Sequence, residues 1–346
     1  MKNGIKMQDI ADKLGVSVVT VSNALAGRDG VSDQMRQKIC ETAAKLGYKP
    51  SNTKSARKQN ALARIGKNVG ILTSERFVGP RGTFYWELTV SISNLLSQSG
   101  VFTVYECVTG ENETKAVPPI MMTENKVDGL IVIGQLHRSY ISMLSKADMP
   151  VVLVDFYDCR YDIDSVNSDS YNGSYLLTDH LISNGHTRIG FIGNLNATSS
   201  INDRFLGYMK ALIENGIEYR SDWTLNDRSE KGILFTQIDF PDDMPTAFVC
   251  NCDETALRVI AALRNKGVRV PEDVSVVGFD NYITSGISLP AITTIEVDIA
   301  RMAETSVELM VKKLSDPSYS GGRIVLSGRL AVKDSVLDIS GGKGNV

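Results

Sequence analysis

Seven short apolar runs organise most of this chain: "NVGILT", "FTVYECV", "VDGLIVIG", "MPVVLVDF", "RIGFIGN", "TAFVCN" and "DVSVVGFD". They alternate with helical stretches, of which Glu87 to Ser99, "YLLTDHLISNG", "DRFLGYMKALIENG" and "ETALRVIAALRNKG" are the clearest. A strand buried on both faces and followed by a crossover helix continues naturally only as parallel sheet covered on both sides. Right-handed crossovers then make each sheet doubly wound. So many units exceed one comfortable sheet, and two lobes with a cleft between them are expected.

Ligands of open parallel sheets bind outside the carboxyl ends of the strands. Those ends carry Ser74 after "NVGILT", Gln135 and His137 after "GLIVIG", Asp155 and Phe156 after "VVLV", Asp253 after "AFVCNC" and Asp280 after "SVVGF", with Phe84 and Tyr85 near the first of them. Carboxylates accept from hydroxyls and aromatic rings stack on CH faces, so the row suits a polyhydroxylated ligand, with sugar the expected one. The plainer reading of an Asp after a strand is a cap on the next helix.

The stretch before the sheets is of another kind. In "MQDIADKLGVSVVTVSNALAGRDGVS", Ile10, Ala11 and Leu14 recur at helical spacing, Gly15 breaks the helix, and Ser17 is placed to cap a second one through Leu25. Val21 with Ala24 or Leu25 can face inward, leaving Val18, Val19, Ser22 and Asn23 outward near the start of the second helix. From there a recognition helix reaches base edges in a major groove, with Ser17 and Thr20 at the positive helix end to hold phosphate. "VSDQMRQKICETAAKLGYKP" adds a third amphipathic helix, with Met35, Ile39, Ala43 and Leu46 on one face. A bare helical hairpin packed on a core would share part of this pattern.

Charge separates the two regions. Through Lys67 there are 13 Lys and Arg against 5 Asp and Glu, a net of +8, so the total of −3 leaves −11 for the remainder. A small basic head thus precedes a large acidic body, and clustered basic charge is the footprint of phosphate-backbone binding. The segment "SNTKSARKQNALARIGKN" reads as a polar, basic linker that orders only on a partner.

With "IADKLGVSVVTVSNALAG", "AAKLGYKP", "LISNGHTRIGFIG", "DRFLGYMKAL", "RVPEDVSVVGFDN" and "LPAITTIEVD" in this order, the chain resembles the lactose-repressor (LacI/GalR) family of bacterial transcription regulators over nearly its whole length. The resemblance implies an α/β protein: an N-terminal helix-turn-helix three-helix head (1–50), a hinge (51–67), and two doubly wound parallel-sheet lobes of periplasmic-binding-protein type. The lobes would comprise 68–166 with 297–325, and 167–296 with 326–340, the chain crossing near residues 166, 296 and 326. It places Arg204, from the "R..GY" segment, and Asp280, from "GFDN", on the effector. It also implies operator contacts from Lys6, Ser17, Val18, Val19, Thr20, Ser22, Asn23 and Tyr48. Recognition helices of the family often carry Arg or His where this sequence has Asn23, which favours bidentate contact with adenine. A hinge Leu usually wedges into the minor groove. Here the segment is a few residues longer, and either Arg57 or Leu62 falls near that place.

The expected partners are therefore pseudo-palindromic double-stranded operator DNA, a small polar effector and a second copy of the chain. The rival reading is a solute-binding protein of a sugar transport or sensing system. No apolar run approaches the roughly 20 residues of a membrane helix, and "MKNGIKMQDI" lacks the apolar core of a secretory signal, so the expected compartment is the cytoplasm. "CNC" at Cys250 to Cys252 has no second cysteine pair, and His137, His180 and His186 lack ligand spacing, so no metal is expected. No phosphate loop, dinucleotide fingerprint or nucleophile with its base is evident. Neither a cofactor nor an enzymatic activity is expected.

Overall fold

The computed structural model describes residues 7–25, 31–46, 67–78, 83–282 and 290–342. The chain divides into two compact units, Met1–Ala61 and Leu62–Val346. In the first, α1 (Met7–Leu14), α2 (Val18–Leu25) and α3 (Asp33–Leu46) pack together. Ile10, Ala11, Val21, Ala24, Ile39 and Ala43 form its core, with Met35 and Leu46 against it. Gly15 takes φ +64 between α1 and α2. A side chain would strain that left-handed turn, so glycine sets the angle between the two helices.

The second unit holds two parallel sheets. The first has the order β11-β5-β4-β3-β1-β2, comprising β1 (Asn68–Ser74), β2 (Phe102–Val108), β3 (Gly129–Ile133), β4 (Val151–Val154), β5 (Asp164–Ser168) and β11 (Arg323–Leu326). Every pairing in it is parallel. Period-two alternation divides its apolar residues between two faces. Ile71, Ile131, Ile133, Val152 and Val154 share a core with Leu88, Ile92 and Leu96 of α4 (Phe84–Gln98) and with Met302 and Met310 of α11 (Ile299–Ser315). Leu72, Leu130, Val132 and Leu153 meet Met121, Tyr140, Ile141 and Leu144 on the other side.

The second sheet has the order β7-β6-β8-β9, from β6 (Ile189–Ile192), β7 (Thr224–Leu225), β8 (Ala247–Cys250) and β9 (Ser275–Val277), and is also parallel. Beside it, β10 (Thr294–Glu296) and β12 (Arg329–Ala331) form a separate antiparallel ribbon. Single bridges Val277 to Thr293 and Asp280 to Glu296 join that ribbon to β9. Helices α8 (Ser170–Ser183) and α9 (Ser199–Glu214) pack on each other, and α10 (Asp253–Asn265) covers the other face with Ala256, Val259 and Leu263.

The chain passes from one lobe to the other between β5 and α8, between β10 and α11, and between β11 and β12. The first passage comes after Ser168, where β5 ends. Buried residues of both lobes belong to one apolar cluster, so the junction is packed. No described helix is long and apolar enough to cross a membrane.

Candidate functional site

In the head, the Ser17 hydroxyl accepts the Thr20 N–H at 3.0 Å and lies 2.8 Å from the Thr20 hydroxyl. Ser17 is thus an N-cap, which leaves the start of α2 as a positive end ringed by hydroxyls. Val21 and Ala24 are buried, and Val19 is 67% exposed. Val18 leans on the head core and is only half-exposed, so it is less outward than its position suggested. Thr20, Ser22 and Asn23 are half-buried at the helix surface. Lys6, Tyr48, Arg57 and Leu62 lie outside the described residues.

In the body, a cavity of about 310 Å³ opens where strand ends of both lobes meet. Five of the sequence-predicted residues line it: Phe84, Tyr85, Asp155, Arg204 and Asp280. Tyr85, on the first turn of α4, donates its hydroxyl to Asp155 Oδ2 at 2.9 Å. Asp155 and Asp280 follow β4 and β9 with φ of 65° and 105°. Non-glycine residues rarely adopt positive φ, and such strain is concentrated at functional positions. Arg204, one turn inside α9, lies 3.8 Å over the Phe279 ring. It donates to the Asn251 carbonyl, to Ser170 Oγ at 3.3 Å and to Asp280 Oδ1 at 3.3 Å.

Burial pushes the Asp280 carboxyl up to about 8 against the pull of Arg204, with Asp253 and Asp155 adding to the rise. Burial likewise raises Asp155, opposed by Arg204 and by hydrogen bonds from Tyr85 and Ser168. Asp253 is raised to about 6, again chiefly by burial. Buried carboxyls this close to one another cannot all ionise freely.

The remaining strand-end residues are not brought to the cavity wall. Ser74 is buried and donates to Glu113 Oε2 at 2.6 Å. Phe156 is buried in the second core of the first lobe. Asp253 faces the ribbon, where its Oδ1 accepts from Thr294 Oγ1 at 2.7 Å. Gln135 spans the lobes instead, its Oε1 accepting the Ser199 N–H at 2.6 Å. His137 caps α7 (Arg138–Leu144) through Ser139 N–H. His186 sits between Thr246 Oγ1 and the Leu337 carbonyl, at 3.0 and 3.1 Å, as a structural residue. Among the described residues no group of His, Cys, Asp and Glu is arranged to hold a metal.

The cavity also holds residues that sequence reasoning missed: Arg76, Thr198, Ser200, Arg228, Asn251 and Cys252. Arg228 anchors a buried polar network. It donates through Nε and Nη2 to Asp227 Oδ2 at 2.9 and 2.7 Å, and Asp227 also accepts from Asn251 and Thr255. Burial opposes ionisation of Asp227, but Arg228, Thr255 and Asn251 hold its carboxyl below the ordinary range.

Comparison with known proteins agrees with both units. Residues 6–51 match the family model "Bacterial regulatory proteins, lacI family", and residues 178–336 match the "Periplasmic binding protein-like domain". The HTH-type transcriptional repressor PurR of Mannheimia succiniciproducens is 28% identical over 340 residues, covering 96% of this chain and 99% of the relative. That of Aliivibrio salmonicida is 29% identical over 319 residues, covering 90% and 93%. Among solved structures, the lac repressor dimer bound to operator and the anti-inducer ONPF aligns with TM-score 0.65 at 23% identity, covering 97% of this chain and 100% of that one. The transcriptional regulator CelR in complex with cellobiose aligns with TM-score 0.66 at 22% identity, covering 96% and 99%. The chain therefore carries a lacI-family helix-turn-helix domain followed by a periplasmic-binding-protein-like domain, the make-up of a DNA-binding transcriptional regulator.

Proposed function

We propose that this regulator is a cytoplasmic repressor without enzymatic activity, whose grip on a pseudo-palindromic operator is set by a polyhydroxylated effector, a sugar or sugar derivative. The observation that carries the reading is the convergence of Tyr85, Asp155, Arg204 and Asp280, from both lobes, on one cavity. Their carboxyl groups hydrogen-bond ligand hydroxyls, Arg204 donates to ring or hydroxyl oxygens, and Phe84 and Tyr85 supply apolar faces. Effector binding favours one lobe geometry and so redistributes the states in which two heads span adjacent half-sites. In each head, Asn23 reads a base while Ser17 and Thr20 border the phosphate.

The working unit is a homodimer formed through the first lobe. Trp86 and Val90 of α4 and Phe102 and Tyr105 of the edge strand β2 are large apolar side chains exposed to solvent, and such a patch marks an interface.

The test uses operator sequences selected from random DNA with the full chain. Full-length protein should bind them, residues 68–346 should not, and a sugar panel should change the affinity. Arg204→Ala or Asp280→Ala should weaken effector binding about ten-fold or more, the worth of one charged hydrogen bond, with effector-free operator binding unchanged. A chain that selects no DNA sequence yet binds sugar would be the solute-binding protein instead.

A further inference from the structure

We infer that the effector carries an acidic group, a carboxylate or phosphate, held at the edge of the cavity where Arg228, Arg76 and the start of α9 meet. This rests on the cavity being the effector site. Arg228 spends Nε and Nη2 on Asp227, Asn251, Cys252 and Thr255, and its Nη1 has no acceptor among the described residues. That nitrogen leaves two N–H donors on a cavity-lining side chain. The surrounding network fixes the guanidinium, so its free edge is preorganised.

A second cation reaches the same edge from the other lobe. Arg76, beyond the end of β1, lies against the turn that follows Arg228: a methyl group added to Gly232 would stand 3.1 Å from its Cδ. Arg76 also donates to the Lys231 carbonyl at 3.5 Å and pairs with Glu113 at 3.0 Å, while its Nε has no acceptor among the described residues.

The third contribution is the 16-residue helix α9, which begins at the cavity with Thr198 and Ser200 in the wall. Gln135 takes the Ser199 N–H and Thr198 Oγ1 takes the Ile201 N–H. The Ser200 N–H between them has no acceptor among the described residues. A helix start and two arginines whose N–H donors are unspent among the described residues are the standard chemistry of an oxyanion site.

Asp155 and Asp280, around Arg204, are left for hydroxyls. Burial keeps Asp280 largely protonated at neutral pH, which lessens the negative charge an acidic ligand would meet. The ligand is thus two-ended: hydroxyls toward the carboxyls, the acid toward Arg228.

The full chain can be tested by calorimetry or thermal shift with glucose, glucuronate, glucose 6-phosphate, inorganic phosphate and a nucleobase. An acidic compound should bind at least about ten-fold tighter than its neutral parent. Carboxylate and phosphate arms distinguish the two acids, and tighter binding of glucose 6-phosphate than of inorganic phosphate places the acid on a larger ligand. Arg228→Gln should abolish the acidic preference, and Arg228→Lys should restore part of it. Should Arg228→Gln disturb the Asp227 network, Arg76→Gln, on the other lobe, should still reduce the preference. Equal or tighter binding of neutral compounds, or no response to any acidic one, overturns the inference. A neutral ligand that is lost on Arg204→Ala would overturn it while leaving the cavity's role as effector site intact; acidic binding insensitive to Arg204→Ala and Asp280→Ala would overturn that role.

Discussion

Asp280 shows how much one carboxyl can do when burial governs it. Its proton is retained to about 8 in the folded chain, against about 3.9 for an unfolded aspartate. A group whose folded value is raised binds more protons when folded, so its contribution is full below about pH 4 and fades as pH climbs through about 8. Thermal stability should therefore decline between pH 5 and 9, and Asp280→Asn, which mimics the protonated form, should flatten that decline. Parallel melting-temperature curves for the two proteins would show that Asp280 does not titrate in this range. Of the residues expected at the ligand site, Asp155, Arg204 and Asp280 line the cavity, whereas Ser74, Phe156 and Asp253 do not reach its wall. Being next to a strand end does not tell which way a side chain turns; Asp155 and Asp280, which do line the cavity, both take positive φ. Arg228 stayed hidden because the strand before it, β7 (Thr224–Leu225), is too short to read as an apolar run.

Among the elements, α2 and α9 bring together much of the proposed recognition chemistry. The spacing of Ile10, Ala11, Val21 and Ala24 made the head's helices legible, because a small three-helix core admits few other arrangements. Asn23→Ala should lower operator affinity by about 1–3 kcal/mol and relax preference at one base pair per half-site. Equal losses on selected and random DNA would remove it from base reading. Helix α9 bridges the lobes in a way no periodicity could reveal. Asp203, beside Arg204, accepts from Tyr157 Oη at 2.9 Å and from Arg323 Nη2 at 3.0 Å, both residues of the first lobe. Arg323 also stacks 3.5 Å over the Tyr157 ring. These bonds hold the lobes together beside the cavity, so Asp203→Ala should loosen closure and weaken effector binding by about 1 kcal/mol. Small-angle scattering of residues 68–346 should show an expanded body, and identical profiles would assign Asp203 a purely local role.

At the scale of the whole molecule, the parallel sheets and their helices were readable because buried strands and crossover helices have different periods. The antiparallel ribbon was not: Thr294–Glu296 and Arg329–Ala331 are three residues each and lie far apart in sequence. Residues 68–346 should dimerise at micromolar concentration, and Phe102→Asp, at a side chain 70% exposed on the edge strand, should shift the body to monomer by sedimentation. An unchanged dimer would move the interface elsewhere. The order in which the sheets are completed also bears on synthesis. Strand β5 finds its outer neighbour only in Arg323–Leu326, and Asp164 at its start is clasped by Lys313, Ser320, Gly321 and Gly322. A chain growing from its amino end must therefore make the entire second sheet while one flank of the first remains without its last strand. Ribosome stalling or truncation before residue 323 should leave that flank open, a template for pairing with other chains, so slower translation across the second lobe should raise the share of newborn regulator that aggregates.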